Sequence, residues 1–209
     1  MIILGLTGSI AMGKTTVAAM FQQQGVPVIS ADDIVHDLYA GKAVPLIENL
    51  YPDSVRDNKV DRKKLLHCLQ ADPADFGKLE ALIHPLVREA EWTFIKTQKT
   101  KGTKIILLEI PLLFETGAET FMDAVIVASA GETEQKKRAL TRPDMTEEKL
   151  NKLLAKQLPD AEKRQRADFL IETNTTLKET ETQVLTLLQT IKETLSPNAF
   201  QKWKTHYEG

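Results

Sequence analysis

The chain has 209 residues, enough for one folded core with insertions at roughly 150 residues per domain. Hydrophobic residues make up 42% and charged residues 27% of the sequence, which excludes disordered, collagen-like and coiled-coil chains. Lys and Arg total 27 against 29 Asp and Glu, a formal charge of −2, so the sequence offers no overall basic field for nucleic acid or an anionic membrane. Any anionic ligand must be bound by locally placed groups.

Cysteine content and apolar patterning predict a cytoplasmic protein. Cys68 is the only cysteine, so an internal disulfide is excluded, and with it a disulfide-stapled secreted scaffold. The first residues lack the basic region of a signal peptide. The longest apolar run, 105–114, is about half a membrane span and is interrupted by Glu109 and Pro111. We expect neither a membrane segment nor a nucleic-acid partner, and a monomer or a small homo-oligomer.

The predicted elements open with a strand, a helix and a second strand. Residues 2–7 form an apolar run, residues 15–24 show a helical apolar period, and residues 26–30 are apolar again. This order builds parallel sheets, so the sequence predicts an α/β fold. Residues 31–101 then change character. Their periodicity is helical, prolines interrupt it and no strand is convincing, which indicates a helical insertion.

The parallel sheet is predicted to resume after the insertion. Residues 104–108 and 124–128 are too apolar for solvent-facing strands. Residues 131–166 are rich in Lys and Arg and predict charged helices suited to covering a site. A last strand is predicted at 169–171 and a final helix at 177–195. Beyond it, Trp203 and Tyr207 lie four residues apart, the spacing of one helical face.

A phosphate-binding pattern lies between the first strand and the first helix. Residues 8–15 match G-x-x-x-x-G-K-[ST] without a mismatch. Backbone N–H groups of such a loop face the phosphates of a nucleotide, and Gly8 and Gly13 permit turns that other residues would strain. Lys14 is expected to reach the β- and γ-phosphates. The Thr15 hydroxyl is expected to ligate a bridging Mg²⁺.

Several protein classes share this loop, and the rest of the chain selects among them. The base-recognition motif N-K-x-D of guanine-specific switches is absent, since its nearest match at 151–154 lacks the acid. The signature of transporter ATPases is also absent, and motors are usually longer. The sequence therefore favours a small kinase with an acceptor-binding insertion and a basic lid. The alternative for the loop itself is an ordinary strand–helix turn with an exposed lysine.

Acidic residues follow two of the predicted strands, at the sheet edge where such folds bind ligands. Asp32 comes directly after the second strand, and its carboxylate is our candidate for orienting the acceptor hydroxyl and taking its proton. Asp33 is a second candidate, and helix capping by Ser30 or Asp32 is the structural alternative. Glu109 ends the strand predicted at 104–108 and is a candidate for holding Mg²⁺, although many buried strands end in an acid that meets solvent or caps a turn.

The chain resembles the dephospho-CoA kinase family of P-loop kinases along its whole length. The resemblance rests on the phosphate loop together with further elements, of which I-H-P, P-L-L-F-E and the Q-x-x-R-x-x-x-R spacing are the more specific. The further elements are Val28-Ile-Ser-Ala-Asp32, Ile83-His84-Pro85, Glu109-Ile-Pro-Leu-Leu-Phe-Glu115, and Gln135 with Arg138 and Arg142, followed by Gln157 and Ala167-Asp168. It implies transfer of the ATP γ-phosphoryl group to the ribose 3′-hydroxyl of dephospho-CoA in the presence of Mg²⁺, the last step of coenzyme A biosynthesis.

The resemblance also implies an architecture and a set of site residues. The implied parts are a nucleotide-binding core at 1–30, 102–137 and 167–195, a helical CoA-binding region at 31–101, a lid at 138–166 and a C-terminal tail at 196–209. Asp32, Lys14 and Arg138 are implied as catalytic. The implied ATP-binding residues are Gly8, Ala11, Met12, Gly13, Lys14, Thr15, Thr16 and Arg142.

Physical reasons support the implied cations, each with a structural alternative. Arg138 and Arg142 are one helical turn apart and can converge on phosphates, or can form a solvated basic face. His84 can donate to a phosphate or ribose oxygen, or can fix a helix junction. Arg62 is a further candidate for acceptor binding. Leu112, within the P-L-L-F-E element, is assigned to substrate binding.

The sequence departs from the family pattern at the loop and after the last strand. Ser9, Ala11 and Met12 stand where the family usually has Gly, Gly and Ser, and Met12 is expected to add bulk near the phosphates. Residues 173–175 replace a usual N-x-G turn, which bears on contacts to the nucleotide base. Two other functions stay open at this point: a nucleoside or nucleoside-monophosphate kinase, and a regulatory protein that uses ATP as a conformational signal.

Overall fold

The computed structural model describes residues 1–71 and 74–208. Its strands are β1 (Ile2–Thr7), β2 (Val28–Ser30), β3 (Val55–Arg56), β4 (Lys59–Val60), β5 (Ile105–Glu109), β6 (Ala124–Ser129) and β7 (Phe169–Glu172). Its helices are α1 (Lys14–Gln23), α2 (Ala31–Leu38), α3 (Val44–Leu50), α4 (Arg62–Ala71), α5 (Ala74–Thr100), α6 (Glu132–Leu140), α7 (Glu147–Leu154), α8 (Asp160–Arg166), α9 (Leu177–Thr194) and α10 (Ala199–Glu208). Short 3-10 turns occupy Pro52–Ser54 and Ala118–Phe121.

The main sheet has five strands in the order β2-β5-β1-β6-β7. β1 pairs in parallel with β5 and β6, and β6 pairs in parallel with β7. This confirms the α/β fold predicted from the sequence. β2 starts two residues later than predicted because Val26 still bonds the end of α1, its N–H donating to the Phe21 carbonyl at 3.1 Å. The carboxyl ends of these parallel strands meet at one edge of the sheet, which collects the loops that follow them.

Both faces of the sheet are covered. On one face, Leu4 and Leu6 of β1 share a buried cluster with Phe21 of α1 and Leu187 of α9. On the other face, a Cβ atom on Gly5 would lie 2.5 Å from Leu113 Cδ1, so only glycine lets the segment after β5 pack this closely on β1. Burial on both faces explains why the sequences of these strands are continuous apolar runs.

The chain divides into two compact units, Met1–Val28 with the chain from Ile95 onward (the core unit) and Ile29–Phe94 (the inserted unit). The inserted unit has its own buried cluster, built on residues such as Leu38, Ile47, Leu65 and Ile83. Helices dominate it, as predicted.

The expectation that residues 31–101 contain no strand is wrong. β3 and β4 form an antiparallel hairpin whose turn residues Asp57 and Asn58 have φ of 50° and 59°. Asp and Asn tolerate such left-handed values, and turns of this kind match the twist of a hairpin. The hairpin escaped prediction because strands of two residues carry no measurable alternation.

The charged segment forms α6, α7 and α8, and ion pairs fix α8 to the rest of the core unit. The fully buried Lys163 ammonium lies 2.9 Å from Glu115 Oε1, and the Leu158 N–H donates to the same oxygen at 2.8 Å. Arg164 pairs with Glu172 at 2.5 Å. Burial acts against ionisation of Glu115, but the hydrogen bonds from Lys163 and Leu158 outweigh it and lower the pKa of this carboxyl below its ordinary value.

Replacing Lys163 by methionine is expected to lower the free energy of unfolding by about 3 kcal/mol, because the Glu115 carboxylate would stay buried without its cation. The lowered pKa of Glu115 means that the pair stabilises the fold above the carboxyl's unfolded pKa of about 4.3. This stabilisation is lost as the pH falls through the lower folded pKa. Denaturant unfolding at several pH values should therefore show the wild-type advantage shrinking below about pH 4.

Lys152→Met is the matched control for that change. Lys152 pairs with Glu148 at 2.7 Å on the protein surface, where the two side chains are 73% and 78% exposed. Because water screens such an exposed pair, its loss should leave the free energy of unfolding close to the wild-type value. Equal losses for the two lysine variants would contradict a stabilising role of the Lys163–Glu115 pair.

The C-terminal helix α10 docks by an aromatic face, as the spacing of Trp203 and Tyr207 predicted. Trp203 is buried, its Nε1–H donates to the Phe121 carbonyl at 2.9 Å, and its ring stacks on Tyr207 at 5.8 Å. The Asp123 carboxylate accepts from the Ala199 N–H at the start of the helix. Within residues 1–71 and 74–208, no helix combines the length and the apolar character needed to cross a membrane.

Candidate functional site

The loop between β1 and α1 has the backbone that its glycines predict. Gly8 has φ 149°, and a Cβ atom there would lie 2.4 Å from the Ala128 carbonyl oxygen. Gly13 has φ 90°, and its Cβ would meet Thr173 Oγ1 at 3.1 Å. Any other residue at either position would be strained and would push against a neighbouring strand end. Both glycines therefore determine the path of the loop and let it pack closely against the strand ends.

Ala11 adopts a left-handed backbone with φ 62°, a conformation that costs a residue with Cβ about 1 kcal/mol. The departure from glycine at this position therefore leaves the loop path possible at a small cost. The Lys14 ammonium donates to the carbonyls of Gly8 at 2.8 Å and Ser9 at 3.3 Å. The lysine is thus folded over the loop whose ligand it is predicted to bind.

A cavity of about 410 Å³ opens beside this loop, within the core unit. The loop and the start of α1 contribute one wall, and α6 with the turn after it contributes the predicted arginines. A third wall comes from the segment after β7. The lining residues are Ala11, Gly13, Lys14, Thr15, Thr16, Arg138, Arg142, Thr173, Thr175, Leu177 and Thr180.

The two arginines reach the cavity in different ways. Arg138 is held in place: its Nε–H donates to Glu134 at 2.9 Å, and its terminal nitrogens donate to the Thr173 hydroxyl at 3.2 Å and carbonyl at 2.6 Å. Arg142 is exposed. The structure thus brings both arginines to the loop cavity, with Arg138 preorganised on α6 and Arg142 open to solvent in the turn after this helix.

Glu109 lies at the same edge of the sheet as the phosphate loop. Glu109 ends β5 and pairs with Leu6 of β1, and Leu6 stands two residues before Gly8. Only 6% of the Glu109 surface is exposed. This burial excludes an acid that merely meets solvent, while the alternative of an acid that caps a turn stays open. Its carboxylate and the Thr15 hydroxyl are oxygen donors of the kind that Mg²⁺ prefers.

A second cavity, of about 560 Å³, lies within the inserted unit. Asp32 at the start of α2 lines it together with Tyr39 and Arg62, and the Arg62 guanidinium sits over the Tyr39 ring at 5.4 Å. Burial raises the pKa of Tyr39, against the opposing effect of the Arg62 charge. The remaining walls are apolar, formed by Val35, Leu65, Leu66, Leu69 and Leu79.

Helix capping does not account for the acids at the start of α2. Ser30 is the N-cap residue, yet its side chain makes no capping hydrogen bond. Asp32 lies in the first turn and is exposed, and within the described part of the chain its carboxylate has no hydrogen bond or ion pair. Asp33 is exposed and does not line the cavity. This placement favours Asp32 over Asp33 as the residue that meets a ligand.

Comparison with known proteins identifies the family. The family model for dephospho-CoA kinase matches residues 2–179. A dephospho-CoA kinase of Brucella melitensis is 51% identical over 188 residues, covering 90% of this chain and 94% of the relative. The chain belongs to the dephospho-CoA kinase family.

Two further relatives extend this assignment. The dephospho-CoA kinase of Rhizobium etli is 45% identical over 201 residues, covering 96% of this chain and 99% of its own. The crystal structure of TT1252 from Thermus thermophilus is 31% identical, has a TM-score of 0.78, and covers 90% of this chain and 96% of that protein. Sequence and fold therefore agree over nearly the whole chain.

Not every residue assigned by resemblance to the dephospho-CoA kinases lines one of these two cavities. Of the described residues, Gly8, Met12, His84, Glu109 and Leu112 line neither. Gly8 and Glu109 lie in the loop and at its sheet edge, as described. His84 is exposed on α5, and Leu112 is half-buried with its carbonyl accepting from Thr116.

The expectation that Met12 adds bulk near the phosphates is wrong. Its side chain is buried, and its sulfur accepts from the Ala130 N–H at 3.1 Å. Its backbone N–H donates to the Ser9 carbonyl and its own carbonyl accepts from Thr173 Oγ1 at 2.8 Å. An apolar side chain at this position is drawn into the core by the hydrophobic effect, away from the cavity.

Sequence reasoning gave Thr173 no contact with the phosphate loop or α6, and it missed Tyr39. Thr173 directly follows β7, and a polar residue at the carboxyl end of a parallel strand is a signal that could have found it. Its hydroxyl contacts Met12 and Arg138, so it joins the phosphate loop to α6. Tyr39 carried no such signal, because one aromatic residue at the end of an amphipathic helix is typical of core packing.

Proposed function

We propose that this protein phosphorylates the ribose 3′-hydroxyl of dephospho-CoA with ATP, giving CoA and ADP. The observation that carries the proposal is the phosphate-loop cavity lined by Lys14, Arg138 and Arg142, in a chain that belongs to the dephospho-CoA kinase family. A nucleoside or nucleoside-monophosphate kinase is not favoured, because relatives at 43–51% identity are dephospho-CoA kinases.

The loop cavity is assigned to the ATP phosphates. Backbone N–H groups of the loop, at the N-terminus of α1, attract anions. Lys14 and the two arginines add three positive charges to the walls of the cavity. These charges can balance a polyphosphate although the chain as a whole carries a formal charge of −2.

Mg²⁺ fits the donors at this edge of the sheet. Thr15 would hold it through its hydroxyl, and Glu109 through its carboxylate, directly or through water. When bound, the metal ion neutralises charge on the β- and γ-phosphate oxygens.

Asp32 is assigned to the acceptor hydroxyl. The bond that forms joins the 3′-oxygen to the γ-phosphorus, and the bond that breaks joins this phosphorus to the oxygen bridging to the β-phosphate. The hydroxyl proton passes to the Asp32 carboxylate, whose exposure in the second cavity leaves it able to accept a hydrogen bond. Arg138, which Glu134 and Thr173 hold in position, is assigned to stabilise the charge that develops on the transferred group.

The second cavity is assigned to dephospho-CoA. Arg62 supplies a cation for its phosphates, and the leucine-lined walls suit the less polar parts of the molecule. His84 and Leu112 stay predictions for acceptor binding. A cytoplasmic location also stays part of the proposal, resting on the single cysteine.

An acceptor panel tests this function. Purified protein with ATP and Mg²⁺ should release ADP in the presence of dephospho-CoA, and the product should be CoA with a new 3′-phosphate by mass and by phosphorus NMR. Nucleosides and nucleoside monophosphates serve as the comparison set. ADP release that is independent of dephospho-CoA, or faster with a monophosphate, would overturn the proposal.

A further inference from the structure

We propose that Gln135 and Gln157 act together as positioning residues that set two peptide planes of the phosphate loop, a role that rests on the proposed binding of ATP at this loop. Gln135 lies on α6, and Gln157 lies between α7 and α8. Both side chains meet the backbone of one residue, Ile10. Neither residue lines the loop cavity, so their effect on a nucleotide passes through the loop.

The two glutamines hold opposite groups of Ile10. The Gln135 Nε2–H donates to the Ile10 carbonyl at 2.9 Å, and the Ile10 N–H donates to Gln157 Oε1 at 3.1 Å. Gln135 is 5% exposed, so its amide has little access to water in place of this partner. One backbone residue is therefore fixed by two side chains that come from different parts of the charged segment.

Each bond orients a peptide plane, because the carbonyl of one residue and the N–H of the next point in opposite directions across a trans peptide. Holding the Ile10 carbonyl with Gln135 sets the direction of the Ala11 N–H, at a residue that lines the cavity. The bond from the Ile10 N–H to Gln157 likewise points the Ser9 carbonyl away from Gln157. This carbonyl accepts from Lys14 at 3.3 Å.

Apolar packing reinforces this arrangement. Ala11 and Ile10 of the loop belong to one cluster with Ala139 of α6 and Leu150 of α7. The left-handed backbone of Ala11 needs such support, because its conformation is unfavourable for a residue with Cβ. Side chains of the charged segment therefore hold the tip of the loop through hydrogen bonds and through apolar contacts.

The glutamine variants have distinct expected effects on nucleotide binding. Gln135→Ala and Gln157→Ala should each weaken ADP binding and raise the KM for ATP by about threefold to tenfold, the range for loss of one neutral hydrogen bond. Gln157→Glu keeps an acceptor for the Ile10 N–H, so it should bind ADP more tightly than Gln157→Ala. Gln135→Glu replaces the donor by a carboxylate facing a carbonyl, so it should bind no more tightly than Gln135→Ala.

The comparison of the two glutamate variants is the decisive readout. Both add one negative charge near the same loop and keep the side-chain length, so a general effect of charge or packing would move them together. ADP affinity is measured by titration calorimetry, with the melting temperature of each variant recorded to confirm folding. Gln189→Ala, on the exposed face of α9 with its amide bonded to Glu193, is the control and should match the wild type.

Two results would overturn the positioning role. One is equal ADP affinity for the two glutamate variants, and the other is ADP affinity and KM for ATP within twofold of wild type in both alanine variants. ADP binding needs no acceptor substrate, so this test does not depend on which acceptor the protein phosphorylates. If dephospho-CoA were not phosphorylated while the glutamine variants behaved as expected, the acceptor assignment would fail and the loop assignment would not.

Discussion

Asp32→Asn is expected to lower kcat with dephospho-CoA by about 10²- to 10⁴-fold, the usual contribution of a positioned general base. The change removes the carboxylate that accepts the hydroxyl proton and keeps the shape of the side chain. Asp32 does not line the loop cavity, so binding of ATP should be unchanged. Steady-state kinetics with varied ATP, together with direct ATP titration, measures both quantities.

Asp33→Asn is the matched control for that substitution. Asp33 is the next residue in the first turn of α2, carries the same charge and is also exposed, but it does not line the second cavity. Its kcat should stay near the wild-type value. If Asp32→Asn retained most of its turnover, or if the two variants lost turnover equally, Asp32 would not be the base.

The core of the fold was predictable because its signals are local and redundant. The runs at 2–7, 104–108 and 124–128 all became central strands, since a strand buried on both faces needs apolar residues at every position. The β3–β4 hairpin was not predictable, because strands of two residues are set by a turn and not by a pattern. Residues 72 and 73 of the predicted helical insertion lie outside the described residues.

The phosphate loop was predictable to the level of single residues, because phosphate binding constrains type and spacing together. Gly8 and Gly13 have the positive φ values that the motif requires, and both predicted arginines line the cavity, Arg138 from α6 and Arg142 from the turn after it. The direction of the Met12 side chain could not be read from the motif. That direction depends on the space beneath the loop, where the Ala130 N–H meets its sulfur.

Long-range contacts account for what the sequence left open. Thr173 touches the loop and α6 across 161 and 35 positions of the chain, and no local pattern encodes such pairs. Gln135 and Gln157 were part of the family resemblance without a role. Their meeting at Ile10 is visible only when α6 and the α7–α8 connection are placed in three dimensions.

Lys14→Ala is expected to lower kcat/KM for ATP by about 10²- to 10³-fold, with both a higher KM and a lower kcat. The ammonium already sits over the loop, bonded to the carbonyls of Gly8 and Ser9, so it needs little rearrangement to meet phosphate oxygens. It binds the ground state through its charge and stabilises the transition state as charge shifts toward the leaving oxygen. Loss of the side chain therefore affects binding and turnover together, unlike loss of Asp32.

Lys192→Ala separates this effect from a general loss of positive charge. Lys192 lies in the last turn of α9 and lines a different cavity from that of the phosphate loop. Both substitutions change the net charge by one unit, so a long-range field effect would weaken ATP binding in both and would be screened by salt. Direct contact with phosphate predicts weaker ATP binding in Lys14→Ala alone. Much of this loss should persist at high salt, because salt screens a partly buried charge less than an exposed one. Unchanged turnover in Lys14→Ala would contradict the binding of ATP phosphates at this loop. It would also contradict the role assigned to the neighbouring Arg138.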